Sequence, residues 1–465
     1  IPNKIEKLDL SNRFNKSINL NNKNLKLKEL TLSRYFLQSI GCIGRYCTCK
    51  YNFYGDVFNC PSKLPDSIEK FDICSNIPIC YEVIDGKMPK KTLLPSNLKI
   101  FKLCNSQNIC FKIDDDTITW PSLLPNKIKE LYIGQYMKSL CCPCYYENDE
   151  LHTHEYGNYT GLPYGIEKLR FSDNFNQPIS CYCWKYGRHP RLPDSIKEIN
   201  FGENFNELVD SLPQKLELLK FGKKFNQTVN YLPKRLKRLI FGRNFNQPVD
   251  NLPGFIKEIY FGSDFNQSVD FLPKKLKKIQ FGKYFDNPIN NLPSNLITID
   301  IPEFDSFFNQ RIDFLPENLK VLNIRGLFNQ PIDNLPKKLK KLSLSHYFNQ
   351  PINKLPDSIG YLEIDGVFNQ DISCICDTEC DCYSIFPKNL KTLIFFIQKK
   401  GKQYFKKFPN KLKFLNMYIH SSGELIPESI NLKLVECNNF CDICPDYGNE
   451  EYDSEEHDYE SIGSR

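Results

Sequence analysis

Cysteine and histidine are the residues here whose type and spacing could do chemistry. Twenty cysteines are present, thirteen within 42–183 and seven within 374–444, with none between Trp184 and Ser373. Cys181 and Cys183, and then Cys374, Cys376, Cys380 and Cys382, sit in Cys-x-Cys pairs. Cys74-x5-Cys80 and Cys104-x5-Cys110 stand thirty residues apart. Bridges within each pair, or between Cys74 and Cys104 and between Cys80 and Cys110, both fit that spacing. Disulfides that staple insertions are the first expectation. Zinc is the second: Cys141, Cys142 and Cys144 with His152 and His154 supply a ligand set, and Cys437, Cys441 and Cys444 supply three more sulfurs. Free thiols are the third, since both cysteine groups have odd counts. Catalysis finds little support. The six histidines (His152, His154, His189, His346, His420, His457) stand in unrelated places, and neither a phosphate-cradling Gly-rich loop nor a nucleophile elbow is spelled. The expectation is a non-enzymatic chain without a cofactor.

What positions these groups is a repeat. Leu-Pro begins at 192, 212, 232, 252, 272 and 292, then at 315, 335 and 355 after one unit of 23 residues. Upstream it begins at 64, 94, 124 and 162, and downstream come Phe386-Pro387, Phe408-Pro409 and Ile426-Pro427. With Ile1-Pro2 and a degenerate unit near Asn24–Leu32, about eighteen units cover nearly the whole chain. Ile1-Pro2 already lies in phase, so the sequence is expected to start inside the array. The cysteines fall mostly in the expanded parts of long units. FNQPISCYC at 175–183 and FNQDISCIC at 368–376 open two insertions at one place in the unit.

From Leu252 the apolar positions run Ile256, Ile259, Phe261, Phe265, Val269 and Leu272. Ile259-Tyr260-Phe261 alternates as a short strand with one buried face does. Gly262, like Gly202, Gly222, Gly242 and Gly282, is expected to turn the chain through positive φ after the strand. Pro253 suits a corner. The absence of Ala and the presence of 30 prolines argue against long helices. One coil buries too few side chains to offset ordering twenty residues, so coils must stack and share a core.

The line Leu339-x-x-Leu342-x-Leu344 followed by Phe348-Asn349 resembles a leucine-rich repeat. FNQPIDNLP at 328–336 resembles more closely the FNIP repeat, a leucine-rich-repeat relative of giant viruses of amoebae and of social amoebae. The resemblance implies a right-handed, mainly β solenoid with one short parallel strand per unit of about twenty residues. It also implies an inner asparagine ladder on Asn176, Asn206, Asn226, Asn246, Asn266, Asn309, Asn329, Asn349 and Asn369, broken at Asp286 where a donor is missing. The Phe preceding each is expected to stack as a core spine. Sequons at Asn15, Asn158, Asn226 and Asn266 are formal matches, because the last two belong to this ladder, expected to be buried.

Variable strand positions then become the candidate binding face: Leu218, Lys220, Arg238, Ile240, Glu258, Tyr260, Lys278, Val321 and Tyr361. The expected partner is a protein, with other virion proteins or a second copy as alternatives. Lysines after each Pro (Lys234, Lys274, Lys337 and their neighbours) read better as a solvated ridge than as a nucleic-acid site. No apolar run reaches the roughly 18 residues of a membrane span. Net charge is +6, yet 446–465 holds eight carboxylates and one Arg, leaving a more basic body. The chain divides into degenerate Cys-containing repeats at 1–63, long repeats at 64–191, regular repeats at 192–385, degenerate repeats with a cap at 386–445, and the acidic tail at 446–465. Residues 1–445 are expected to form one solenoid. Three roles follow from the resemblance and the cysteines: an interaction scaffold, a disulfide-hardened component of a virus particle, or a substrate-recruiting ubiquitin-ligase adaptor of the kind that carries an F-box. The places implied are the virion or the infected host's cytoplasm.

Overall fold

The computed structural model describes residues 1–10, 13–16, 18, 20, 24–33, 35–36, 64–73, 94–103, 124–133, 162–183, 187–190, 192–370, 385–397 and 408–419. Six strands come from the first, mostly long coils: β1 (Lys7–Leu10), β2 (Glu29–Leu32), β3 (Lys70–Ile73), β4 (Ile100–Leu103), β5 (Glu130–Ile133) and β6 (Lys168–Phe171). A hairpin of β7 (Ser180–Cys183) and β8 (Gly187–Pro190) follows. The regular coils give β9 (Glu198–Asn200), β10 (Leu218–Lys220), β11 (Arg238–Ile240), β12 (Glu258–Tyr260) and β13 (Lys278–Gln280). Then come β14 (Thr298–Ile301), β15 (Val321–Ile324), β16 (Lys341–Leu344), β17 (Tyr361–Phe368), β18 (Thr392–Ile397) and β19 (Phe414–Ile419). Seventeen of these form one parallel sheet, each strand pairing with its neighbours in chain order and β6 passing directly to β9. The fold is a leucine-rich-repeat-like β solenoid. No helix among the described residues is long and apolar enough to cross a membrane.

Each coil is made by two turns. At the first, the amide three residues after Pro donates to the Pro carbonyl, as from Ile256 to Pro253 at 3.2 Å and Leu276 to Pro273 at 3.0 Å. Proline serves here because its fixed φ sets the corner and its own missing N–H is not needed. At the second, Phe205 N donates to Gly202 O at 3.3 Å, and Phe265 N to Gly262 O at 3.4 Å.

The glycines of that second turn correct the sequence expectation. Positive φ occurs at Gly326 (79°) and Gly366 (101°), among the described residues, and not at Gly202, Gly222, Gly242, Gly262 or Gly282. What these five require is space. A Cβ on Gly242 would lie 1.9 Å from the carbonyl oxygen of Gly222 one coil below, and on Gly262 2.0 Å from that of Gly242. Close backbone stacking selects the glycine, and the turn's handedness does not. Only past the 23-residue coil does the glycine move one place along, to Gly326 and Gly366, and there it does take positive φ.

The core is a stack of identical layers. Ile256, Ile259, Phe261, Phe265 and Val269 are all nearly inaccessible, and the equivalents repeat through the regular coils. Two phenylalanine columns zip together. Within a coil the rings of Phe221 and Phe225 lie 3.6 Å apart, while between coils Phe225 and Phe245 lie 6.0 Å apart, nearly parallel. The first column ends at Phe281, replaced by Ile301, Ile324, Leu344 and Ile364, whereas the second continues to Phe368.

Candidate binding face

Three exposed rows run along the sheet, and the strand pattern builds them. In a four-residue strand the second and fourth side chains are buried and the first and third half exposed. In-register parallel pairing stacks like on like. Leu218, Arg238, Glu258 and Lys278 form one run of the first row, and Lys220, Ile240 and Tyr260 one run of the second. Val321 and Tyr361 lie farther along the first row, with Lys341 between them.

Tyr260 is held on every side. Arg238 and Lys278 place their cations 4.9 and 5.1 Å from its ring centre. Its hydroxyl donates to Glu258 Oε2 at 2.9 Å, and that carboxylate also pairs with Arg238 at 3.2 Å. Tyr361 repeats the arrangement, with Lys341 Nζ 4.3 Å from the ring centre and the hydroxyl donating to Glu363 at 3.0 Å. Glu363 also accepts from Arg325 and Ser343. Burial and the adjacent Glu363 push the Tyr361 phenol up to about 12, so it stays protonated and donating. These rings are fixed before any partner arrives.

The third row is the residue immediately preceding each strand; sequence reading placed its Lys237, Lys277 and Lys340 in the solvated ridge of lysines after each Pro. Its main chain is a ladder: Lys257 N donates to Lys237 O, Lys277 N to Lys257 O and Lys340 N to Lys320 O, each at 2.8 Å. The first half of this row neutralises itself. Lys28 pairs with Glu6 at 3.3 Å, Lys99 with Glu69 at 2.8 Å, Lys129 and Lys197 with Glu167 at 3.1 and 2.8 Å, and Lys237 with Glu217 at 2.8 Å. The hydrogen bond from Lys99 holds the Glu69 carboxyl below its ordinary range, and that from Lys197 does the same for Glu167. Opposite charges at one-coil offsets were the available sequence signal.

The asparagines stand elsewhere, on the turn after the strand. Asn226 Oδ1 accepts the Asn246 amide at 2.9 Å and Gln247 Nε2 at 3.1 Å, and Asn246 Oδ1 does the same for Asn266 and Gln267. The row runs from Asn176 through Asn206 to Asn309, Asn329, Asn349 and Asn369. Two expectations change. Asp286 does not break the row: its carboxylate accepts from Asn309 N at 2.9 Å and Gln310 Nε2 at 3.0 Å, because the rung needs an acceptor only. Nor is the row buried. Asn226 and Asn246 are half-buried and Asn266 is exposed, since the bonds run between coils along the surface.

Of the cysteine candidates, Cys181 and Cys183 lie in β7, with Cys181 opposite His189 in register. Cys74, Cys80, Cys104, Cys110, Cys374, Cys376, Cys380 and Cys382 lie outside the described residues, as do Cys141, Cys142, Cys144, His152 and His154.

Comparison with known proteins agrees with this geometry. The FNIP Repeat model matches residues 189–224, 225–264, 248–284, 265–304, 308–347 and 328–364. No curated protein sequence matches. Among solved structures, that of CroV588, described as a novel circular LRR protein, aligns over 89 % of this chain and 70 % of that one, at 24 % identity and a TM-score of 0.52. YopM from Yersinia enterocolitica WA-314 aligns over 93 % and 87 % at 18 % identity, with a TM-score of 0.38. The TLR13–ssRNA13 complex aligns over 89 % and 54 % at 15 % identity, with a TM-score of 0.47. Only the first of these likenesses bears weight, and it bears on fold alone. The chain carries FNIP repeats within residues 189–364, on a fold similar to that of a leucine-rich-repeat protein.

Proposed function

We propose that the chain is a non-enzymatic scaffold that takes a protein partner on the exposed strand rows between Leu218 and Tyr361. The observation that carries this is the pair of preorganised tyrosines. Tyr260 and Tyr361 are half-buried, clamped by cations and tied to carboxylates; Tyr132, farther back on the sheet, is clamped by Lys102 and Arg170. Fixed aromatics lose little freedom on binding, which is why tyrosine, with Arg, dominates the energetic centres of interfaces. Five coil steps of about 4.8 Å separate the two, so one partner of domain size spans both. Leu218, Ile240 and Val321 add apolar area around them.

The test is capture of partners from cells that express the protein, using the full chain and the double variant Tyr260→Ala/Tyr361→Ala. The partner is expected to be retained by the full chain and by a control, Phe271→Ala, whose exposed ring lies in the return segment of its coil. It is expected to be lost from the double variant. Equal retention by all three would place the interface elsewhere.

A further inference from the structure

The row preceding the strands changes character at Lys257. Before it, every carboxylate of the row is matched to a lysine of an adjoining coil. From there on it carries Lys257, Lys277, Lys320, Lys340, Lys391 and Lys413, all exposed, with Ile297 and Gly360 between and no carboxylate among its described residues. Main-chain hydrogen bonds keep these residues in line, from Ile297 N to Lys277 O at 2.8 Å down to Lys413 N to Lys391 O at 2.9 Å. A stack of like charges at about 4.8 Å intervals repels itself and attracts a counter-charge of matching length.

We propose that this basic track is the docking site of the chain's own acidic segment, residues 446–465. That segment holds Asp446, Glu450, Glu451, Asp453, Glu455, Glu456, Asp458 and Glu460 against a single Arg465. From Ile419 at the end of β19 to Asp446 is 27 residues, which span up to about 90 Å when extended. Lys257 lies only seven coils back, roughly 34 Å. The eight carboxylates cover some 45 Å in extended form, enough for the whole track. The row's amides and carbonyls are already used between coils, so the segment cannot join as a further strand. It is held by ammonium–carboxylate pairs alone. Such exposed pairs are individually weak, and they suffice here because a tethered segment sits at an effective concentration near the millimolar range.

The experiment is zero-length carbodiimide coupling of the full chain, as an equal mixture of nitrogen-15 and natural-abundance protein, read by peptide mass spectrometry. Tail carboxylates are expected to link to Lys257, Lys277, Lys320 or Lys340 within one isotopic chain, with yield falling several-fold at about 1 M salt. A full chain whose tail acids are replaced by Asn and Gln is expected to acetylate at Lys277 and Lys320 about tenfold faster. The tail is expected to lose its links in the separate variant Lys277→Glu/Lys320→Glu/Lys340→Glu. Links mainly to Lys99 or Lys197, to the post-proline lysines Lys274 and Lys337, or between isotopic species would overturn the proposal. So would unchanged acetylation. These signals are read with no partner present, so failure here and failure of the strand-face reading are told apart.

Discussion

At the scale of single residues, the rung of the asparagine row is an oxygen that accepts twice. Replacing Asn246 with Ala removes the acceptor for Asn266 N and Gln267 Nε2. The expected cost is about 1–3 kcal/mol, because the donors are left beside a surface that only partly rehydrates them. Asn246→Asp keeps the oxygen and should hold near-native stability, as the natural Asp286 accepts the same pair of bonds two coils on. Urea midpoints of the two variants decide this; equal loss in both would show that the amide nitrogen matters. Glycine gives a second contrast. Gly242→Ala forces a methyl against a backbone oxygen and should cost more than about 4 kcal/mol. Gly254→Ala meets nothing within 4 Å and should gain about 0.4–1 kcal/mol. The sequence showed which glycines repeat, but two physical reasons for a glycine are spelled alike. Positive φ and close approach separate only when the neighbouring coil is in place.

Strands and turns were legible because their signals are local: alternation at Ile259-Tyr260-Phe261, proline at the corner, period twenty along the chain. Contacts between coils were less so. The row preceding the strands needs the offset between Glu217 and Lys237 to be read as adjacency, and offsets vary between 20 and 41 residues among the coils. The 23-residue coil shows what such a change of length does to an element. Its extra residues bring in Glu303, half-buried, accepting from Ser263 Oγ at 3.3 Å. Burial pushes its carboxyl upward, with the nearby Asp305 adding to the effect. A folded pKa above the unfolded one means the folded state holds the extra proton, so this group's contribution falls as pH rises through that interval. Glu303→Gln should therefore raise the melting temperature at pH 7 and leave it unchanged at a pH below both values. A variant less stable at pH 7 would mean that the charge itself is used.

Across the whole molecule the two halves of the sheet carry opposite electrostatic designs. In the first, lysines and glutamates are interspersed along the row preceding the strands, and Glu69 and Glu167 sit below their ordinary range because Lys99 and Lys197 donate to them. Their contribution is complete above the unfolded carboxylate value and is lost as pH falls through the lower folded one. In the second half the row holds no carboxylate among its described residues. Local opening is separable in a stacked array, because each coil leans only on its neighbours. Amide exchange in β3–β6 should thus accelerate as pH is lowered from about 5 to 3, after correction for intrinsic rates, while β12–β16 change less. Added salt should act in opposite senses on the two halves. Screening weakens the pairs of the first half and relieves repulsion between Lys257, Lys277, Lys320 and Lys340 in the second. With the acidic segment amidated, that relief should grow, since nothing then neutralises the track before salt is added. If β12–β16 lose protection in salt with the natural tail and gain it with the amidated one, tail pairing outweighs the repulsion it covers.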